Sequence, residues 1–336
     1  MRLGFAALAA AAAVASACSR PVQTARTTLI APPSEAEIEA GMALDYRSCS
    51  PKLGWLFPGV GQLCLGKTAE GSIMSGLAAA EISTAVAVGV NTDFDADGDG
   101  QADPFQHPGV ALPLAALQDL WIYGLSDVWI TTALARRERY APPDSLADLA
   151  AAPFNLEVMK RPAVWAGLVG ALAVGLGVTF ALADDVDGDQ VGDDPNLFGE
   201  TVDAKYGYPL GGLAGGTLFA HVAPAEEALF RGVIQSGLAR SIGETQGWVA
   251  ASLLFGVAHI PNVLALPEEE RTDFLLYGIP VITAAGAYLG WVYRSSDYSL
   301  APSTAVHFWY DFLLTATLFV IDPQNSIFAP SVMFAF

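Results

Sequence analysis

The sequence predicts an all-α fold of the polytopic membrane kind, a bundle of about seven to eight spanning helices after an N-terminal signal. Three observations predict it. Of 336 residues, 53% are hydrophobic and only 15% charged, with mean hydropathy +0.40, too apolar for an ordinary water-soluble chain. The apolar residues fall in runs of roughly 16–22, the length of helix that crosses hydrocarbon. The third observation is where the charges fall. The net charge of −19 comes mostly from acids in loops and tails between the runs, and no basic nucleic-acid footprint is present.

The N-terminal run "MRLGFAALAAAAAVASAC" has one arginine, a short apolar core and small residues up to Cys18. Residues 1–17 read as a signal peptide, too short to span. "ASAC" resembles the lipobox of bacterial lipoproteins, whose cysteine is lipidated, although Ala15 stands where leucine is usual. Plain cleavage after Ala17 and an uncleaved anchor are the alternatives. The three cysteines, Cys18, Cys49 and Cys64, make no disulfide framework. Residues 18–50 are polar, contain proline, and read as an exported linker.

Residues 51–140 read as an N-terminal membrane module. It has a short apolar segment, a Gly/Lys turn, a second apolar segment, an acidic loop at 91–108, and an apolar run at 109–134. Pro58-Gly59-x-Gly61-Gln62 followed by Gly66 and Gly71 resembles the helical hairpin of small TM2-type membrane modules. Its glycines suit close helix packing. The run ends in "ARRERY", and Arg136, Arg137 and Arg139 place that end on the cytoplasmic side. Residues 141–161 read as a cytoplasmic linker. From 162 onward come apolar spans at about 162–183, 207–223, 247–264, 274–293 and 303–321, with a second acidic loop at 184–205. Alternation from an exported N-terminus puts Lys67, the Arg136 cluster, Lys160, Arg161, Arg240 and Arg294 inside and both acidic loops outside. The expected location is the bacterial inner membrane, multi-pass, with the N-terminus and acidic loops periplasmic.

Both acidic loops carry a D-x-D-x-D pattern: Asp95, Asp97, Asp99 and Asp103, then Asp185, Asp187, Asp189 and Asp193. Alternating aspartates on a tight loop converge oxygens on one hard cation. Gln106 and Asn196 stand where an EF-hand has its bidentate glutamate, so the loops resemble shorter calcium loops of exported bacterial proteins. Such calcium would be structural. A solvated acidic connector fits the same residues.

The chemistry lies deeper. In "PAEEALFRGV", Glu227 and Arg231 are four apart, so they share a helical face with the acid N-terminal to the base. Glu226 points about 100° away and is the carboxylate without that partner, available for general acid–base work. Pro224 can start or kink a helix. His259 follows Phe255 by four, and Asp311 follows His307 by four, so each pair can share a face. Each such ionisable group costs about 2.5–3.5 kcal/mol at the centre of a spanning helix, and several together mark a pathway or a reaction site.

Glu226-Glu227-x-x-x-Arg231, Phe255-x-x-x-His259 and His307-x-x-x-Asp311, in that order on apolar segments, resemble the three motifs of the CPBP family. These are the CAAX-protease and bacteriocin-processing, or Abi, intramembrane proteins. The resemblance covers roughly residues 205–320 and assigns 162–336 to a CPBP-like protease domain. It implies an intramembrane endopeptidase of the glutamic type, acting without a covalent intermediate on a membrane-associated or exported peptide within the lipid bilayer. Glu226, assisted by His259, would activate water. His307 and Asp311 would stabilise the oxyanion, and Glu227 with Arg231 would position the helix. Asp311 stands at a position that varies in the family between asparagine and aspartate. No cofactor is implied, although Glu226, His259 and His307 make three zinc-type donors with an open position. A non-catalytic scaffold or immunity-type protein and a proton-coupled transporter remain alternatives.

Overall fold

The computed structural model describes residues 51–92, 108–182, 190–197, 200–266 and 268–324. Within them the chain is a helical bundle, and the long apolar runs of the sequence are its long helices. A 3-10 turn, Pro51–Trp55, precedes α1 (Val60–Cys64), α2 (Thr68–Asn91) and α3 (Pro108–Ala135). Two short helices, α4 (Leu146–Ala151) and α5 (Leu156–Met159), lead into α6 (Pro162–Leu182). A two-stranded antiparallel ribbon, β1 (Asn196–Leu197) with β2 (Glu200–Thr201), pairs Asn196 with Thr201 and Leu197 with Glu200. Then come α7 (Ala204–Glu226), a π-helical stretch (Glu227–Gln235), α8 (Ser236–Ile242), α9 (Glu244–Ala258), α10 (Glu268–Asp273), α11 (Ile279–Ser295) and α12 (Ala301–Ile321).

Among the described residues, four helical stretches are long and apolar enough to cross a membrane: Thr68–Asn91, Glu244–Leu264, Glu270–Ser295 and Ala301–Ile321. Helices suit this setting because each closes its own backbone hydrogen bonds where lipid offers none. Proline stands in the first turn of α11 and α12, where a missing N–H costs nothing. Large apolar residues such as Val90, Trp129, Leu213 and Leu276 point outward, as on a surface facing lipid rather than water.

The expected first limb of the N-terminal hairpin is corrected. Pro51–Trp55 and Val60–Cys64 are five residues each, far short of the ~20 that cross hydrocarbon. Gly59, at φ 90°, and Gly71 meet backbone to backbone, and a Cβ on either would collide with the other's strand of chain. Close packing through glycine thus folds this segment back against α2. The crossing that placed Lys67 opposite an exported N-terminus is therefore not made by residues 51–66. Cys64 is disulfide-bonded; three cysteines allow one such bond and no framework.

The N-terminal helices and the later ones share one core. Met74 and Ala78 of α2 cluster with Leu120 and Tyr123 of α3, Ala225 and Ala228, and Tyr293 and Leu300. The segment at 141–161 is a strap docked on the bundle. Asp144 accepts hydrogen bonds from Ser299 (2.8 Å) and the Leu300 N–H (2.7 Å), and Trp309 Nε1 donates to the Pro153 carbonyl at 2.7 Å.

Candidate active site

Glu226 is the last residue of α7, and the helix continues without a break into the π-helical stretch. A π turn carries one extra residue per hydrogen-bonded ring and often marks a functional site. Pro224 lies inside the continuous helix rather than at its start. On the far side of the stretch the altered register aims Gln235 at the Gly290 carbonyl (3.0 Å) and Ser236 at the Tyr140 carbonyl (2.7 Å). The helix is therefore fixed where the register change ends.

Glu227 and Arg231 form the ion pair that their spacing predicts, at 3.0 Å. Arg231 is 2% exposed. It donates to the Gly286 carbonyl of α11 at 3.1 Å and lies 4.3 Å from the Phe255 ring centroid of α9. Gly286 allows this approach, since a Cβ there would press on the Phe255 ring. A buried guanidinium needs such a set of partners.

His307 of α12 is the hub. Its Nδ1 lies 3.0 Å from Glu227 Oε1, and its Nε2 lies 3.2 Å from Asp311 Oδ2 and 3.6 Å from Glu226 Oε2. Three carboxylates thus surround one imidazole. Glu226 is 3% exposed, and its Oε2 has no hydrogen-bond partner among the described residues. Glu227 is committed to Arg231 and His307; Glu226 is not.

His259 sits at the C-terminal end of α9 with Nδ1 2.7 Å from the Phe255 carbonyl oxygen. Its ring packs on Phe255 at 4.6 Å, and Phe255 stands 6.1 Å from His307. No hydrogen bond or ion pair joins His259 to Glu226 among the described residues. His259 interacts electrostatically with His307, Asp311 and Arg231. The motif residues therefore gather in one buried site, with Phe255 as the aromatic floor between the two histidines.

Both nitrogens of His307 face carboxylates, and no three His, Cys, Asp or Glu side chains form a metal-holding group among the described residues. Of the aspartates singled out for calcium, Asp95, Asp97, Asp99, Asp103, Asp185, Asp187 and Asp189 lie outside the described residues. Asp193 is described; its carbonyl accepts from the Tyr208 hydroxyl at 3.1 Å.

Three ionisable residues near the site escape a reading by motif. Asp119 of α3 is 3% exposed. His221, one helical turn before Ala225, has Nε2 3.5 Å from Glu81 of α2. Each stands alone in an apolar run, which was the available signal. The meeting of His221 and Glu81 depends on how helices distant in sequence pack.

Residues 211–313 match the family model of Rce1-like type II CAAX prenyl endopeptidases, and all seven motif residues from Glu226 to Asp311 fall inside that segment. That family is a peptidase family. No curated protein and no solved structure matches the chain.

Proposed function

We propose that this multi-pass membrane protein, with its Rce1-like segment at 211–313, is an intramembrane endopeptidase of the glutamic type. The observation that carries the reading is the unequal pair of glutamates. Glu227 Oε1 is bound by Arg231 at 3.0 Å and His307 at 3.0 Å, whereas Glu226 Oε2 lies 3.6 Å from His307 Nε2; among the described residues the Oε2 of each glutamate has no hydrogen-bond partner. A carboxylate so placed can take a proton from water that attacks a peptide carbonyl.

The steps balance without a covalent intermediate. Water oxygen bonds to the carbonyl carbon while its proton passes to Glu226. The tetrahedral oxyanion is held by His307, whose ring Glu227 orients through Nδ1, as the Nε2 proton turns from Asp311 to the developing charge. Collapse breaks the C–N bond, and the proton on Glu226 passes to the leaving nitrogen. His259, with Nδ1 fixed on the Phe255 carbonyl, presents its other nitrogen to the water or the leaving group. The buried setting excludes bulk water and strengthens each of these interactions.

The substrate is a peptide bond of a membrane-associated or exported peptide. Membrane-peptide proteomics of wild type against a Glu226→Ala strain, with and without chelator, tests this. Peptides that persist only in the Glu226→Ala strain support the reading, and identical peptide profiles refute it. Loss of cleavage on chelation alone would replace the metal-free mechanism.

A further inference from the structure

The strap at 141–161 lies outside the segment that matches the peptidase family, yet it reaches the level of the reacting groups. It meets α12 at the helix start, where Asp144 accepts from Ser299 and the Leu300 N–H. It meets α12 again at Pro153, whose carbonyl accepts from Trp309 Nε1. From Leu300 to Trp309 the helix advances about 13 Å at 1.5 Å per residue. The chain then turns back, and Val158 clusters with Ala301 and Ala305. At the turn, Phe154 stands edge-on to Phe308, the sequence neighbour of His307, at 5.7 Å. Under the turn is a small cavity of about 20 Å³, lined by Leu149 and Pro153 of the strap, Ala220 and Pro224 of α7, and Thr304 and Phe308 of α12.

Thr304 is 0% exposed, and its Oγ1 has no hydrogen-bond partner among the described residues. A buried hydroxyl is ordinarily bonded, and threonine on a helix can bond the carbonyl four residues back. Thr304 does neither, which leaves its hydroxyl for a ligand. A second polar group is the Ala220 carbonyl, which gets no donor from Pro224 four residues on, because proline has no N–H. Pro224 is two residues before Glu226. Thr304 is three before His307, about 4.5 Å along the helix. An extended peptide advances about 3.3 Å per residue. A peptide bond held between Glu226 and His307 therefore brings a side chain one or two residues away to the cavity. Ala220 and Phe154 are exposed at its mouth. A single water needs about 10–15 Å³, so the space admits a methyl or hydroxymethyl group and not a leucine. We propose that this cavity is a substrate subsite for a serine-sized side chain beside the scissile bond, its hydroxyl bound by Thr304 and the Ala220 carbonyl. The strap thereby sets specificity for a site built on other helices. The proposal rests on the reading of the buried site as hydrolytic.

Quenched fluorescent peptides with glycine, alanine, serine or leucine on either side of the scissile bond, prenylated and unprenylated, test it on the full chain reconstituted in lipid. Wild type is expected to favour serine over leucine in kcat/KM by about tenfold or more. Thr304→Val is expected to cut the serine-over-alanine ratio about tenfold. Pro224→Ala, which returns an N–H to the Ala220 carbonyl, is expected to lower the same ratio. Ala220→Leu, which fills the cavity, is expected to shift the preference to glycine. Equal cleavage of serine and leucine peptides by wild type overturns the proposal, as does an unchanged serine-over-alanine ratio in folded Thr304→Val and Pro224→Ala. An equal fall in kcat for every peptide in Thr304→Val also overturns it, since the cavity would then hold water rather than substrate. Binding of the same peptides to Glu226→Gln, read by fluorescence anisotropy, measures the preference without cleavage. A serine preference there that Thr304→Val abolishes, with no cleavage by wild type, fails the hydrolytic reading and leaves the subsite standing. No preference in binding overturns the subsite.

Discussion

At the scale of single residues, two adjacent glutamates have different surroundings because one is bonded directly to the Arg231 guanidinium and the other is not. Glu227 is fully buried beside Arg231, which is held in turn by the Phe255 ring and the Gly286 carbonyl. Removing one member of such a pair strands a charge in the interior. Arg231→Leu is therefore expected to lose about 3–5 kcal/mol of stability, measured by thermal unfolding in detergent. A variant as stable as wild type would show that the pair is solvated. The spacing of Glu227 and Arg231 made this pairing legible in the sequence, because i,i+4 neighbours meet on any helix. The embrace of His307 by three carboxylates was not legible, since it depends on where α12 docks on α7.

At the scale of elements, the π-helical stretch matters most. Helical periodicity places residues on faces by assuming one register, so a register change inside a run leaves no trace in the pattern. Its consequence is visible at Gln235 and Ser236, which reach Gly290 and Tyr140. Deleting Val233 would rotate everything after it by about 100° relative to Glu226 and take both contacts away. Such a variant is expected to keep its helical circular dichroism while its Tm falls; an unchanged Tm would show that the register is not needed. The strap at 141–161 was expected as a linker because its proline, aspartate and short apolar turns lack a long period. It instead holds a capping box at the start of α4, with Ser145 and Asp148 bonding each other's backbone. Ser145→Ala is expected to cost about 1 kcal/mol. The Ser145 N–H, then its hydroxyl, hold the Asp148 carboxyl below its ordinary range. Its contribution is thus present above the ordinary aspartate range and fades as pH falls through the lowered value. The Tm difference between wild type and Ser145→Ala should accordingly narrow in acid.

At the scale of the whole molecule, charge sorts the two ends of the bundle. Arg240 pairs with Glu138 at 3.1 Å and donates to the Arg139 carbonyl, while Arg294 and the Tyr140 hydroxyl meet Glu244. The ends of α3, α8 and α11 and the start of α9 therefore share one face. At the opposite end, the Asn196 N–H donates to the Pro323 carbonyl at 2.9 Å, joining the ribbon to the end of α12. In reconstituted vesicles, cysteines at Arg137 and Asp297 should react with an impermeant thiol reagent from one side, and a cysteine at Val191 from the other. Labelling of all three from one side would contradict the arrangement. The long helices were legible because apolar run length alone decides them. The run at 109–134 is α3, and that at 303–321 lies within α12. The short limb at 51–66 misled because an apolar Gly-rich stretch resembles a span until its length is measured as helix. The His221–Glu81 pair stayed hidden because it forms through packing between separate helices.

The most direct test of the division between the two glutamates compares Glu226→Gln with Glu227→Gln in purified, lipid-reconstituted protein. Cleavage of quenched fluorescent peptides and thermal stability are read on the same samples. Glu226→Gln is expected to lose cleavage by about 10²–10⁴-fold with its Tm kept, and Glu227→Gln to lose Tm as well. Cleavage at the wild-type rate in folded Glu226→Gln would contradict the account.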